Sequence, residues 1–205
     1  WGKGRGVSRI MRKTGQRTGA QNPHTRGGRR AHGPKVAKDW SQKLNSKQRT
    51  LARNSAIAAS IDPEIVSSRG HNFDDKVRFP IVIDGYKESR GESTEKYDLE
   101  SLPLQNSTRK FVAMMKGLGL GEDLERAKSG RTIRAGKGTM RGRKYRTPKS
   151  ILLVVAGRNG LHKAARNVPG VDVVAAKDLC AEDLAPGGDM GRLTVWTKAA
   201  IEAME

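Results

Sequence analysis

The chain is 205 residues long and carries 40 Lys and Arg against 21 Asp and Glu, a net charge of +19 with a pI near 10.5. Its length suits one domain with an appendage or two small domains, and its charge asks for a polyanionic partner. No apolar run approaches the roughly 18 residues of a spanning helix, and no basic helix carries bulky apolar anchors, so no membrane partner is expected.

Cys180 is the one cysteine, which leaves no internal disulfide and points to a reducing compartment. No signal peptide is evident, and a start at Trp1 rather than Met places part of the natural N-terminus upstream. Aromatic residues make up only 4% of the chain, too few for base-stacking platforms. Contacts to phosphates and to RNA shape are therefore expected.

Residues 1–45 form the first region. Arg5, Arg9, Arg12, Lys13, Arg17, Arg26, Arg29, Arg30 and Lys35 all precede the first acid, Asp39. Glycines and prolines recur too often for a helix, and no alternation supports a strand. The segment buries too little apolar surface to offset its own ordering entropy, so it reads as an extended arm, disordered when free and ordered when bound. Within Arg26-Gly-Gly-Arg-Arg-Ala-His-Gly-Pro-Lys35, Gly and Pro let the backbone turn closely around a phosphate surface while arginine forks bind phosphates. His24 and His32 lie in the same arm and suit hydrogen bonding or stacking on RNA.

Residues 46–205 form the second region. Ser46 is the expected N-cap of a helix from Lys47 to about Ser60, with Leu51, Ser55 or Ala56, and Ala59 on its buried face and Arg49 and Arg53 opposite. Asp62-Pro63 starts a short helix through Ile65 and Val66. Phe79 to Asp84 is a buried strand ending in an Asp-Gly turn. Glu88 to Glu100 is a polar surface excursion. Ser107 or Thr108 opens a helix whose Phe111, Met114, Met115 and Leu118 make a core stripe, and Glu122 to Lys128 adds a short helix.

From Arg126 to Lys149 the basic theme returns without a single acid, through Arg131, Arg134, Lys137, Arg141, Arg143, Lys144 and Arg146. Glycines keep this stretch loop-like, and so many like charges repel one another unless a polyanion neutralises them. Beyond it, strands at Ile151–Val155, Val171–Val174 and Leu193–Trp196 alternate with helices at Leu161–Asn167, Asp178–Leu184 and after the capping Thr197. The expected fold is α/β, an open, mostly parallel sheet with flanking helices.

Catalytic and nucleotide motifs fail on inspection. Gly136-Lys-Gly-Thr139 departs from a P-loop because Gly130 is one position too far upstream and Gly138 stands where Ser or Thr should follow the lysine. Gly157-Arg-Asn-Gly160 lies between a strand and a helix but lacks the fuller glycine fingerprint. The four histidines are scattered, Asp74-Asp75 has no further acids beside it, and Cys180 has no sequence-near base. No cofactor is expected beyond magnesium that accompanies RNA.

Gly4-Arg-Gly6, Gly27 to Lys35, Leu51 to Ala59, Gly136-Lys-Gly-Thr-Met-Arg-Gly-Arg-Lys-Tyr-Arg146, Asp183-Leu-Ala-Pro-Gly-Gly188 and Gly191 to Val195 together resemble the archaeal and eukaryotic branch of ribosomal protein four of the large subunit. The resemblance runs through nearly the whole chain in order, and an end soon after Ala203 is more similar to the archaeal form. It implies a structural, non-enzymatic protein of the cytoplasmic ribosome that binds ribosomal RNA beside neighbouring ribosomal proteins. It also implies that the arm is most of a long internal loop threading RNA to the polypeptide exit tunnel, with Arg9 to Arg17 nearest its tip and close to the nascent polypeptide. Family members carry a strand and helix ahead of the position of Trp1, which would leave this sheet one strand short. The competing expectations are an RNA-processing enzyme that does chemistry at Gly157 to Gly160 and a basic DNA binder.

Overall fold

The computed structural model describes residues 3–90, 93–98 and 107–204, with backbone alone for 86–90 and 93–98. The chain divides into two compact units, Trp1–Lys43 and Leu44–Glu205.

The second unit is an α/β layer. Its sheet holds β1 (Ile81–Ile83), β6 (Leu152–Val155), β7 (Asp172–Ala175) and β8 (Thr194–Thr197) in the order β1-β8-β6-β7, with every neighbouring pair parallel. The helices are α1 (Ser46–Ala59), α2 (Pro63–Ser68), α3 (Ser107–Gly117), α4 (Gly121–Ser129), α5 (Gly160–Ala165), α6 (Ala181–Leu184) and α7 (Lys198–Glu202). Two further pairs are antiparallel: β2 (Gly85–Arg90) with β3 (Ser93–Asp98), and β4 (Thr132–Ile133) with β5 (Tyr145–Arg146).

The apolar run at 151–155 supplies both faces of the sheet, as a buried parallel strand must. Ile151, Leu153 and Val155 join a core with Phe111, Met115 and Leu161. Leu152 and Val154 join a second core with Leu184, Trp196 and Ala200. The methionine stripe of α3 is core, with Met114 and Met115 buried beside Phe111. Caps fall where the short polar residues stand: Asp62 accepts the Glu64 N–H at 2.9 Å and Thr197 Oγ1 accepts the Ala200 N–H at 3.2 Å.

Several expectations need correction. Asn45, not Ser46, precedes α1, and it makes no side-chain capping bond. The buried stripe of α1 is rotated from the expected one: Ala56 and Ala59 are buried, but Leu51 is 71% exposed and Arg53 is half-buried, its Nε without a partner among the described residues. Small residues let α1 pack closely near its C-terminal end only, so the bulky Leu51 stays outside. No Asp-Gly turn closes β1, because Asp84 alone links it to β2. The excursion at 88–100 is a hairpin across the described backbone of β2 and β3, while its side chains lie outside the described residues. Helix α7 after Thr197 stops at Glu202, and Glu205 lies outside the described residues.

Candidate nucleic-acid interface

The first unit holds itself together with backbone turns. Arg12 and Gly19 form an isolated antiparallel bridge, flanked by Ala20 N–H to Met11 O at 2.7 Å and Lys13 N–H to Thr18 O at 3.1 Å. This hairpin is a departure from the featureless arm expected from composition. Gly15 turns its tip at φ +72°, a conformation that a side chain disfavours. Past it, the Asn22 and Thr25 carbonyls accept from Thr25 and Gly28, and a Cβ on Gly28 would stand 2.0 Å from the Asn22 oxygen. Glycine is required there because the chain folds back on its own carbonyl.

These turns aim charge outward. The side chains of Arg5, Arg9, Arg12, Lys13, Arg17, Arg26, Arg29, Arg30, His32 and Lys35 all belong to exposed residues. Arg12 donates to Ser8 Oγ at 3.1 Å and to the Arg17 carbonyl, and Arg29 Nε reaches the Gln21 carbonyl at 3.4 Å. Those bonds tether two guanidinium groups while leaving further N–H donors on each. Asp39 is the sole acid of the unit, and its hydrogen bonds from Ser41 hold its carboxyl below the usual range.

The second basic stretch is a hairpin rather than a plain loop. After the short β4–β5 ladder, Arg134 N–H meets the Lys144 carbonyl at 2.8 Å, and Arg143 N–H meets the Gly138 carbonyl at 3.0 Å. A single 3-10 turn, Thr139–Arg141, then passes through Gly142 at φ +75°. Glycine allows the tight tip, and the backbone ladder supplies the order that composition conceals. Arg131, Arg134, Lys137, Arg141, Arg143, Lys144 and Arg146 are all exposed. The Arg131 guanidinium lies 4.0 Å from the Tyr145 ring centroid, which orients its plane and leaves its donors for an outside acceptor. Ile133 and Met140 stand exposed among these cations and offer apolar contact to a partner.

The base of that hairpin is fastened by a carboxylate. Asp123 on α4 is fully buried and accepts from His71 Nδ1 at 3.1 Å, Asn72 N–H at 3.2 Å, Arg126 Nε at 2.9 Å and Ser150 Oγ at 2.5 Å. Burial alone would push this carboxyl up. The His71 and Ser150 hydrogen bonds, with the charge of Arg126, outweigh burial and hold it below its usual range. Arg126 Nη2 also donates to the Lys149 carbonyl at 2.9 Å. One acid therefore ties the residues entering the hairpin to those leaving it.

A second buried group continues the fastening. Arg192 is 1% exposed and donates to the Ser150 carbonyl at 3.0 Å, the Asp183 carbonyl at 2.8 Å and Asp172 Oδ2 at 2.5 Å. Lys149 Nζ reaches the same Asp172 oxygen at 2.7 Å. Burial would raise the Asp172 carboxyl, and the two cations reverse that and hold it low. Sequence reasoning found the exposed cations and missed Asp123 and Arg192. One acid among three in a charged helix reads as solvated, and nothing in its spacing tells that four donors converge on it.

The positions weighed for catalysis do not converge. Among the described residues, no group of three or more His, Cys, Asp or Glu is placed to hold a metal. The Cys180 thiol is pushed up by burial and by its neighbour Asp183, away from the thiolate that a nucleophile needs. Cys180 itself is an exposed residue.

An α/β body bearing a fastened cationic hairpin, in a chain with a separate cationic unit, defines a polyanion-binding protein without a catalytic constellation among the described residues. The chain belongs to the ribosomal protein L4/L1 family, which matches residues 1–205. It is 47% identical over 201 residues to large ribosomal subunit protein uL4 of Halobacterium salinarum, covering 98% of this chain and 74% of that protein. Against the proteins of the same name from Methanothrix thermoacetophila and Methanocaldococcus jannaschii it is 45% and 46% identical, with all of this chain and about three quarters of each relative covered. These relatives are archaeal, in keeping with the form that the sequence resembles.

Proposed function

We propose that this chain is a structural constituent of the large ribosomal subunit in the cytoplasm, where it binds ribosomal RNA beside neighbouring ribosomal proteins and supports assembly. The observation that carries the reading is the contrast between the fastened base of the β4–β5 hairpin and its exposed cations. Asp123 and Arg192 commit buried hydrogen bonds to holding a hairpin whose seven named Arg and Lys side chains all face solvent. Presenting phosphate ligands is a purpose that fits such an arrangement, and the release of counterions would supply much of the affinity. Names of the relatives support the subunit, and membership of a family of ribosomal proteins leaves the enzyme alternative without support.

The same reading makes residues 1–45 an RNA-threading arm that becomes ordered within RNA. Arg9 to Arg17 would lie nearest its tip, at the wall of the exit tunnel and within reach of the nascent polypeptide. The hairpin at Arg12 to Gly19 supports a tip of defined shape, narrow and cationic. Replacing Arg9, Arg12 and Arg17 by Ala is expected to alter stalling or macrolide response more than assembly. Equal assembly defects from this triple variant and from Arg141→Ala with Arg143→Ala would contradict the division of labour. For the subunit assignment itself, the protein should co-sediment with large subunits after a moderate-salt wash, and its quantitative loss to the supernatant would sink the reading.

A further inference from the structure

The body carries a third cationic row, apart from the arm and the hairpin. Arg158 lies in the turn after β6, His162 lies within α5, and Arg166 follows α5 as its C-cap. Both arginines are exposed and His162 is half-buried. All three line one groove of about 580 Å³ with Lys149, Asp172 and Asp183. The groove runs along β7, the last strand in the order of the described sheet.

Its carboxylates are already engaged. Asp172 Oδ2 receives Lys149 and Arg192 at 2.7 Å and 2.5 Å, while Asp183 Oδ2 receives the N–H and thiol of Cys180 at 3.2 Å and 3.0 Å. No hydrogen bond or ion pair among the described residues reaches the side chains of Arg158, His162 or Arg166. Helix α3 meets α5 through Thr108 Oγ1 and the Ala164 carbonyl and contributes no lining residue. The charged groups facing His162 are therefore Arg158 and Arg166, with Lys149, Asp172 and Asp183 further along the groove. Burial, and then those two arginines, keep the imidazole below its usual value. Such a row of like charges, uncompensated among the described residues and lining one groove, suits a polymer that brings several phosphates in succession.

We propose that this groove is a phosphate-backbone site on the folded body, in which RNA is held by Arg158 and Arg166 and by His162 in its protonated form. The proposal rests on the RNA-binding reading above. In the free protein the two arginines disfavour the imidazolium. A bound phosphate reverses the local field, so the ring takes one proton from solvent as RNA binds. This site's share of the affinity therefore grows as pH falls toward the lowered value at which the free ring takes up its proton.

The test uses the full chain and deproteinised archaeal large-subunit ribosomal RNA, titrated across a salt series and at several pH values. Arg158→Ala with Arg166→Ala should reduce the slope of log affinity against log salt by about 1.5, the value for removing two phosphate ligands. His162→Gln should lose part of the affinity gain that wild type shows from about pH 7.5 to about pH 5.5. His162→Lys, permanently charged, should keep the affinity and lose the same pH dependence, which a merely structural histidine would not do. His24, His32 and His71 are common to every variant, so the difference between chains isolates His162. An unchanged slope in the double arginine variant, with the slope lowered in Arg141→Ala with Arg143→Ala, overturns this site and leaves the RNA reading intact. A wild-type protein without salt dependence overturns the RNA reading itself. Binding of ATP alone at the groove, with RNA affinity unaltered by the double variant, overturns the assignment to RNA.

Discussion

The arm and the β4–β5 hairpin share a composition and differ in what holds them. Both are rich in Gly, Arg and Lys, and both expose the cations named as phosphate ligands. The hairpin closes on a buried carboxylate and a buried guanidinium, Asp123 and Arg192, which belong to the folded body. In the arm, the turns that shape residues 11–28 are local, from the bridge of Arg12 with Gly19 to the carbonyls of Asn22 and Thr25. A cationic ligand for RNA can thus be positioned by a body or left for RNA to position. The first presents its charges before binding, and the second defers the entropy of ordering to the bound state.

The comparison breaks most visibly at Asp123. Asp123→Ala leaves His71, Arg126 and Ser150 without their common acceptor, and losing one partner of a buried charged cluster costs about 3–5 kcal/mol. Chemical denaturation of the full chain should show that loss, together with weaker RNA binding through the hairpin. A variant as stable as wild type would mean that the hairpin is not fastened as described.

Surface changes should separate the two regions without unfolding either. Arg141→Ala with Arg143→Ala is expected to lower the salt slope of RNA binding by about 1.5 while thermal stability stays unchanged, since exposed cations on a hairpin contribute little to folding. Arg9→Ala with Arg17→Ala should lower the slope similarly, with a larger change in the binding heat capacity for each arginine removed, because ordering is coupled to binding there. Equal heat-capacity changes for the two pairs would erase the distinction between preset and deferred order.

The smallest expected effect is an acid one. Asp123 and Asp172 have carboxyls held below the ordinary value, so their stabilisation is complete above about pH 4 and fades as pH falls through their lower folded values. Asp172→Asn should flatten part of that acid limb in pH-dependent melts. A mutant whose acid limb matches wild type would contradict the role of the Lys149 and Arg192 contacts.

Much of the body was legible because its signals are strong and local. The continuous apolar run at 151–155 serves two cores at once, Asp62-Pro63 starts a helix, and Thr197 caps another. The exposed cations were legible for the same reason, since no core could take them. What stayed hidden depended on distant partners. Asp123 reads as one more acid on a charged helix until His71 and Ser150 arrive from elsewhere in the chain. Arg192 reads as a basic surface residue until three acceptors enclose it. Leu51 misled in the opposite direction, because periodicity gives a stripe but not which part of it finds a neighbour. Arg158, His162 and Arg166 escaped notice because Arg158 precedes the helix that carries His162, so no single helical period contains the row.

The central claim is that this chain works by neutralising RNA phosphates with preset and deferred cationic surfaces. Its most direct test is the equilibrium affinity of the full chain for large-subunit ribosomal RNA across a salt series. The account predicts a steep linear fall of log affinity with log salt, at about 0.7–0.9 per phosphate contact, with separable contributions from the arm and the hairpin. A flat salt profile would contradict it.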